Sequence, residues 1–156
     1  MSSSRRSAAS AVSENVQEKA HRQLVELLQG LRVALPGVQV LFGFLLVVPF
    51  SARWTDVTSF QHDLYFACLL CSAAATAFLI APSAVHRLNF DRGDKPRIVL
   101  VSNLLAIIGL SFLALAMVGV VWLITDLLYG GSTVVMFTVA TAGVFIALWY
   151  AVPLLM

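Results

Sequence analysis

The sequence predicts an all-α membrane protein with four transmembrane helices. Of its 156 residues, 60% are hydrophobic and only 12% are charged, whereas soluble domains are about 45–50% apolar and about 25% charged. Four runs without a charged side chain are long enough to cross a hydrocarbon core of about 30 Å, which needs roughly 20 helical residues. None of these runs alternates apolar and polar residues as the strands of a membrane barrel do. The predicted architecture is therefore a bundle of four helices.

Each predicted span ends at a charged residue or at a turn signal. The spans occupy residues 33–52, 64–85, 98–125 and 133–156. Asp126 ends the third span, and the Tyr-Gly-Gly-Ser sequence at 129–132 follows it. Because two consecutive glycines favour a turn, the fourth helix is expected to begin near Thr133.

The basic residues predict the orientation of the helices. Nine of the ten precede the first span or lie between the second and third spans. Positively charged segments are retained on the cytoplasmic side of a membrane. Both termini are therefore predicted to be cytoplasmic.

Two segments precede the first span. Residues 1–13 are rich in serine and predict a disordered tail, because they cannot bury enough apolar surface to offset the entropy of ordering. Residues 14–32 place apolar side chains at three- and four-residue spacing with charged ones mainly elsewhere, which predicts an amphipathic helix. This helix either lies along the inner membrane surface or continues into the first span, with a bend at Pro36 and Gly37.

Several segments carry a resemblance to a known family. They include ELLQGLRV at 26–33, GVQVL at 37–41 and APSAVHR at 81–87. The chain resembles, over roughly residues 24–156, a family of small bacterial four-helix membrane proteins catalogued as a domain of unknown function. The resemblance implies a multi-pass protein of the bacterial inner membrane. Some relatives carry an automatic label of sodium/proton antiporter, which implies no site residues here.

Two strongly polar residues lie inside predicted spans, Gln39 in the first and Asn103 in the third. Polar side chains in hydrocarbon need hydrogen-bond partners and often mark functional sites. The two residues lie at similar depth, about 8–10 Å from the cytoplasmic ends of their spans. They are expected to hydrogen-bond to each other, a bond worth about 0.6–2 kcal/mol, and a structural role is favoured over transport.

Asp126 is the one acid at the border of the third and fourth spans. An ion-coupled transporter generally needs such an ionisable group within the membrane. Asp126 follows Arg97 by 29 positions, which is about 43 Å of helix. It is therefore expected at the hydrated external interface, and the structural interpretation is favoured.

Cys68 and Cys71 form a Cys-x-x-Cys pair on one face of the second helix. A membrane thiol–quinone oxidoreductase would use such a pair near the external side. A disulfide relay needs a second pair, and the chain has two cysteines in all. The cysteines are therefore interpreted as small packing residues. His62 and His86 lie at opposite ends of this helix, so no zinc site is predicted from it.

Small residues recur every fourth position in two of the helices. They are Ala73, Ala77 and Ala81 in the second helix, and Gly143, Ala147 and Ala151 in the fourth. Such faces permit close backbone approach between membrane helices. The second and fourth helices are expected to pack tightly, either together or against a partner.

The sequence favours a non-enzymatic accessory or scaffold subunit without a cofactor, embedded in the lipid bilayer as a homo-oligomer or in a larger complex. The alternative is an ion or small-solute transporter that acts as a homo-oligomer, with Gln39, Asn103 and Asp126 along its path. A less favoured alternative is a thiol–quinone oxidoreductase. The net charge of +2 makes nucleic acid an improbable partner.

Overall fold

The computed structural model describes residues 2–52, 54–88 and 95–155, and these residues are almost entirely helical. The long helices are α1 (Ser2–Val47), α2 (Ser59–Leu88), α3 (Lys95–Leu128) and α4 (Gly131–Ile146). Two 3-10 turns, Val48–Phe50 and Trp54–Asp56, lie between α1 and α2. A π-helical stretch, Ala147–Ala151, joins α4 to the short helix α5 (Val152–Leu155).

Four helical stretches are long and apolar enough to cross a membrane. They are Glu18–Phe50, Ser59–Leu88, Pro96–Leu128 and Gly131–Leu155. No strand occurs in the described part of the chain. These observations confirm the predicted all-α class and the predicted number of helices that are long and apolar enough to span a membrane.

The N-terminal half of α1 continues without a break into the first span, and its first residues differ from the sequence prediction. The stretch 14–32 is not a separate helix, because α1 continues through it and through Pro36. The backbone is also helical from Ser2 onward, where a disordered tail is predicted; residue 1 lies outside the described residues. A helix that is already nucleated extends without a second nucleation cost, and alanine and arginine are good helix formers. Of the two predicted arrangements, the structure has the continuous helix.

One side of this half of α1 packs against the rest of the molecule. Ala20, Leu24 and Leu31 are buried at spacings of four and seven residues. Glu18 and Arg22 are exposed and form an ion pair of 3.7 Å between Oε1 and a guanidinium nitrogen. The side of residues 14–32 that carries the regularly spaced apolar residues is therefore the side that packs against the other helices.

The interface between α2 and α3 is the largest in the chain. The buried residues of α2 recur at alternating spacings of four and three: Gln61, Tyr65, Cys68, Ser72, Ala75, Leu79 and Pro82. Two glycines of α3 let the helices approach. A Cβ atom added to Gly109 would lie 2.8 Å from Leu79 Cγ, and one added to Gly119 would clash with Cys68 Sγ. The close approach therefore depends on glycine at both positions.

Helix α1 packs across this pair in two buried clusters. One cluster contains Leu31, Val38, Ala75, Leu79 and Ala106. The other contains Leu45, Tyr65, Cys68 and Leu123. Because each cluster has members from α1, α2 and α3, the three helices share one core.

Helix α4 follows a tight turn and packs on one side only. Gly130 and Gly131 form the turn, with φ angles of 66° and 62°. Residues other than glycine rarely adopt such positive φ angles. Among the other long helices of the described chain, α4 contacts α3 alone. The predicted packing of the second helix against the fourth is therefore wrong within one chain, and the small-residue face that begins at Gly143 is exposed.

The π-helical stretch has a cause in the sequence. Pro153 lies four residues after Trp149, and a proline in a regular helix clashes with the carbonyl four residues earlier. A single wide turn relieves such a conflict. Within this turn the Tyr150 hydroxyl lies 2.6 Å from Ser111 Oγ. Ser111 Oγ already donates to the Ile107 carbonyl, so Tyr150 is the donor to Ser111.

Candidate functional site

The first turn of α2 contains a reciprocal pair of hydrogen bonds. The Thr58 N–H donates to Gln61 Oε1 at 2.9 Å, and the Gln61 N–H donates to Thr58 Oγ1 at 3.3 Å. This is a capping box, which satisfies backbone donors that have no partner within the helix. It holds the Gln61 side chain in one orientation at the start of α2.

The same glutamine connects α2 to the end of α3. Gln61 Nε2 donates to Asp126 Oδ2 at 2.7 Å, and only 9% of Gln61 is exposed. The amide orientation is determined from both sides, since a backbone N–H requires the oxygen and a carboxylate requires the NH2 group. A carboxylate near a helix C-terminus is disfavoured by the helix dipole, and the amide donor offsets part of that cost.

Asp126, Gln61 and Thr58 line a cavity of about 620 Å³. Asp56, from the 3-10 turn, supplies a second carboxylate to it. The rest of the lining includes Ser51 and apolar side chains of the α1–α2 connection and of α3, namely Val48, Ala52, Ile124, Leu127 and Leu128. The cavity therefore combines two carboxylates with apolar walls.

A buried hydrogen bond holds the end of α1 beside this cavity. Pro49 has no N–H, so the Leu45 carbonyl four residues earlier loses its helical donor. The Tyr65 hydroxyl donates to that carbonyl at 2.8 Å. Tyr65 thereby attaches the last turn of α1 to α2, next to Val48 of the cavity wall.

Aromatic rings surround the same end of the molecule. Trp54 packs edge-on against Tyr65, with ring centroids 4.7 Å apart, and lies 5.3 Å from the ring of His62. Phe60 of α2 packs edge-on against Trp122 of α3, with centroids 5.1 Å apart. Edge-to-face pairs of this kind are stabilising, so contacts between aromatic rings help to hold this end of the three helices together.

The predicted polar residues Gln39 and Asn103 are both exposed. They form no hydrogen bond with each other in the described chain, although one was expected. Each lies one position beyond a fully buried residue, Val38 in α1 and Ser102 in α3. One position rotates a side chain by about 100° around a helix, so both polar groups point away from the helix contact. Asn103 instead borders a groove of about 700 Å³ between α1 and α3.

Sequence reasoning singled out Asp126 but missed its partner. Asp126 lies two positions before Leu128, the last residue of α3, and the structure joins it to Gln61. The capping box itself could have been recognised in the sequence, because Thr58 and Gln61 have the required Thr-x-x-Gln spacing. The contact between Gln61 and Asp126 spans 65 positions and had no signal in the sequence.

The two cysteines lie within α2, and both thiols are free. Cys68 is 3% exposed, and its Sγ occupies the space that Gly119 leaves open. Cys71 is partly buried. No group of three or more His, Cys, Asp or Glu side chains in the described residues could hold a metal ion.

Four helices long and apolar enough to cross a membrane define a helical membrane protein. The chain belongs to the family of unknown function DUF6328, whose family model matches residues 13–153. This confirms the resemblance found in the sequence, and the matched range includes every residue that lines the cavity. The family description carries no activity. Comparisons with curated proteins and with solved structures give no significant match.

Proposed function

We propose that the protein is a non-enzymatic accessory subunit of a larger membrane assembly in the bacterial inner membrane. One observation carries this proposal: α4 packs against α3 alone and leaves its small-residue face open. Gly143 follows the buried Val134 by nine positions, or about two and a half turns. It therefore lies on the side of α4 that faces away from α3.

The composition of this open face favours another helix as its neighbour. A Cβ atom added to Gly143 would meet no heavy atom within 4 Å. In lipid, apolar area alone does not drive helix association, whereas close packing along Gly and Ala does. A helix of a second copy or of another membrane protein would pack closely at Gly143 and Ala147.

The charge distribution supports an orientation with both termini in the cytoplasm. Four arginines lie toward one end of the helices: Arg22, Arg32, Arg87 and Arg97. The opposite end has Asp56, Asp63 and Asp126. Because basic residues are retained on the cytoplasmic side, the cavity at Asp126 opens toward the outer face in this orientation.

The accessory role can be tested by native electrophoresis of membranes solubilised in a mild detergent. The wild-type protein, of chain mass 16.9 kDa, is expected to migrate well above the band that the purified protein gives in the same detergent. Gly143→Leu is expected to release it from the assembly, because the larger side chain prevents close approach. Val144→Leu is the matched control, since Val144 is also exposed but lies on another side of α4. Wild-type protein that migrates as a monomer would refute the proposal.

A second candidate, transport of an ion or small solute by a homo-oligomer, is favoured by the Gln61–Asp126 hydrogen bond beside the cavity. An oligomer is required because the core that α1, α2 and α3 share is built largely from apolar side chains. Purified protein in liposomes with a pH-sensitive dye and imposed proton or sodium gradients tests it. Asp126→Asn should abolish the flux and Asp63→Asn should not. Absence of flux under both gradients would exclude proton and sodium exchange.

A further inference from the structure

We propose that the cavity between the α1–α2 turn and the end of α3 binds an organic cation with an apolar body. This inference deepens the second candidate by naming a ligand class. It concerns binding alone, and it does not depend on the assembly of α4 with a partner.

The charges of the lining residues favour a cation. Asp56 and Asp126 both line the cavity. Gln61 occupies one oxygen of Asp126, Oδ2. The other oxygen, Oδ1, accepts no hydrogen bond in the described part of the chain and is therefore available to a ligand.

The size and walls of the cavity favour an organic ligand over a bare metal ion. Its volume of about 620 Å³ lies within the range of about 300–1,000 Å³ that is typical of small-molecule sites. A metal ion such as Ca²⁺ needs six or more oxygen ligands at about 2.3–2.6 Å, whereas much of this wall is hydrocarbon from Val48, Ile124 and Leu127. An ammonium or phosphonium group with attached apolar groups fits both parts of the lining.

The anionic group is held in place before any ligand arrives. The capping box fixes Gln61, and Gln61 in turn fixes Asp126. Such preorganisation lowers the entropic cost of binding. It also makes Asp126→Asn an informative variant, because an asparagine oxygen still accepts the hydrogen bond from Gln61 while the charge is removed.

Isothermal titration of the purified full-length protein in detergent with tetraphenylphosphonium tests the inference. The wild-type protein is expected to bind it, and Asp126→Asn is expected to bind about tenfold more weakly or worse, since the negative charge that attracts the cation is lost. Asp63→Asn serves as the matched control, because Asp63 lies at the same end of α2 but does not line the cavity. Its affinity should equal that of the wild type.

Two further binding measurements distinguish the contribution of charge from that of apolar contact. Tetraphenylborate has the same shape and the opposite charge, and it is expected not to bind. Ile124→Asn leaves the carboxylates in place but removes part of the apolar wall, and it should weaken the binding of tetraphenylphosphonium several-fold. Circular dichroism and elution volume establish that each variant is folded.

The inference is overturned if folded wild-type protein does not bind tetraphenylphosphonium, if folded Asp126→Asn binds it as tightly as the wild type, or if tetraphenylborate binds equally well. Binding without flux of the cation in liposomes supports the inference and refutes transport of that cation. The oligomeric assay at Gly143 is unaffected by any of these outcomes, so failure of the accessory role is recognised separately.

Discussion

The α2–α3 interface and the outer side of α4 use glycine in opposite ways. Gly109 and Gly119 of α3 are covered by Leu79 and Cys68 of α2, whereas Gly143 of α4 has open space around its Cα. The residue type is the same in both regions. The comparison shows that a glycine in a membrane helix stabilises a fold only where a neighbouring helix uses the space it leaves. Substitutions at the glycines test this difference, and two hydrogen bonds between helices provide smaller effects for comparison.

The largest effect is expected at Gly109. Valine there would overlap both the side chain and the backbone of Leu79, and overpacking of this kind costs up to about 3 kcal/mol. The same change at Gly143, with nothing nearby, should alter the free energy of unfolding by less than about 0.5 kcal/mol. Unfolding in mixed micelles with increasing SDS, followed by circular dichroism, measures both values. Equal destabilisation at the two positions would contradict the comparison.

A smaller loss is expected for Gly119→Ala, because the obstructing atom is the single sulfur of Cys68. We expect a cost of about 2 kcal/mol. Replacing Cys68 by alanine removes the sulfur, so the double variant should recover about 1 kcal/mol relative to the sum of the single changes. Purely additive values would show that Cys68 does not set the distance between α2 and α3.

The hydrogen bond from Tyr65 to α1 should contribute less than helix packing does. Tyr65→Phe removes the donor to the Leu45 carbonyl, with an expected cost of about 1 kcal/mol. Tyr129→Phe is the control, since Tyr129 is 73% exposed, and it should be neutral. In a Pro49→Ala background, the new backbone N–H can reach the carbonyl, and the cost of Tyr65→Phe should fall. An unchanged cost there would refute the explanation through proline.

The smallest effect is expected where α4 meets α3. Tyr150→Phe removes the hydrogen bond to Ser111 and should cost about 0.6 kcal/mol, the average for such bonds between membrane helices. Ser111→Ala added to that variant should cost little more, because both changes remove the same bond. A cost comparable with that of Gly109→Val would mean that α4 belongs to the rigid core.

The helix bounds show what charge patterns predict. The second and third spans were predicted at 64–85 and 98–125, and the helices run from Ser59 to Leu88 and from Lys95 to Leu128. The length of a charge-free run corresponds to the part of a helix that lies within the hydrocarbon core of the membrane. The helices continue beyond it because charged residues such as Asp63 and Arg97 are readily accommodated in a helix outside that region.

The candidate site was predictable only in part, for a related reason. The position of Asp126 at the end of α3 follows from counting residues. Its partner Gln61 does not, because the contact depends on which residue of α2 faces α3. The capping box that positions Gln61 is local, so its spacing was visible in the sequence.

The sequence by itself determined the number of membrane-spanning helices and the glycine turn at Gly130 and Gly131. These are local consequences of hydrocarbon thickness and backbone sterics. Only the tertiary structure decided the rotation of each helix, which buried Ala75 and left Ala77 and Gln39 exposed. The physical reason is that a membrane helix is apolar on nearly every side, so its pattern does not identify the packed face. Shape decides instead, through contacts such as Gly109 with Leu79.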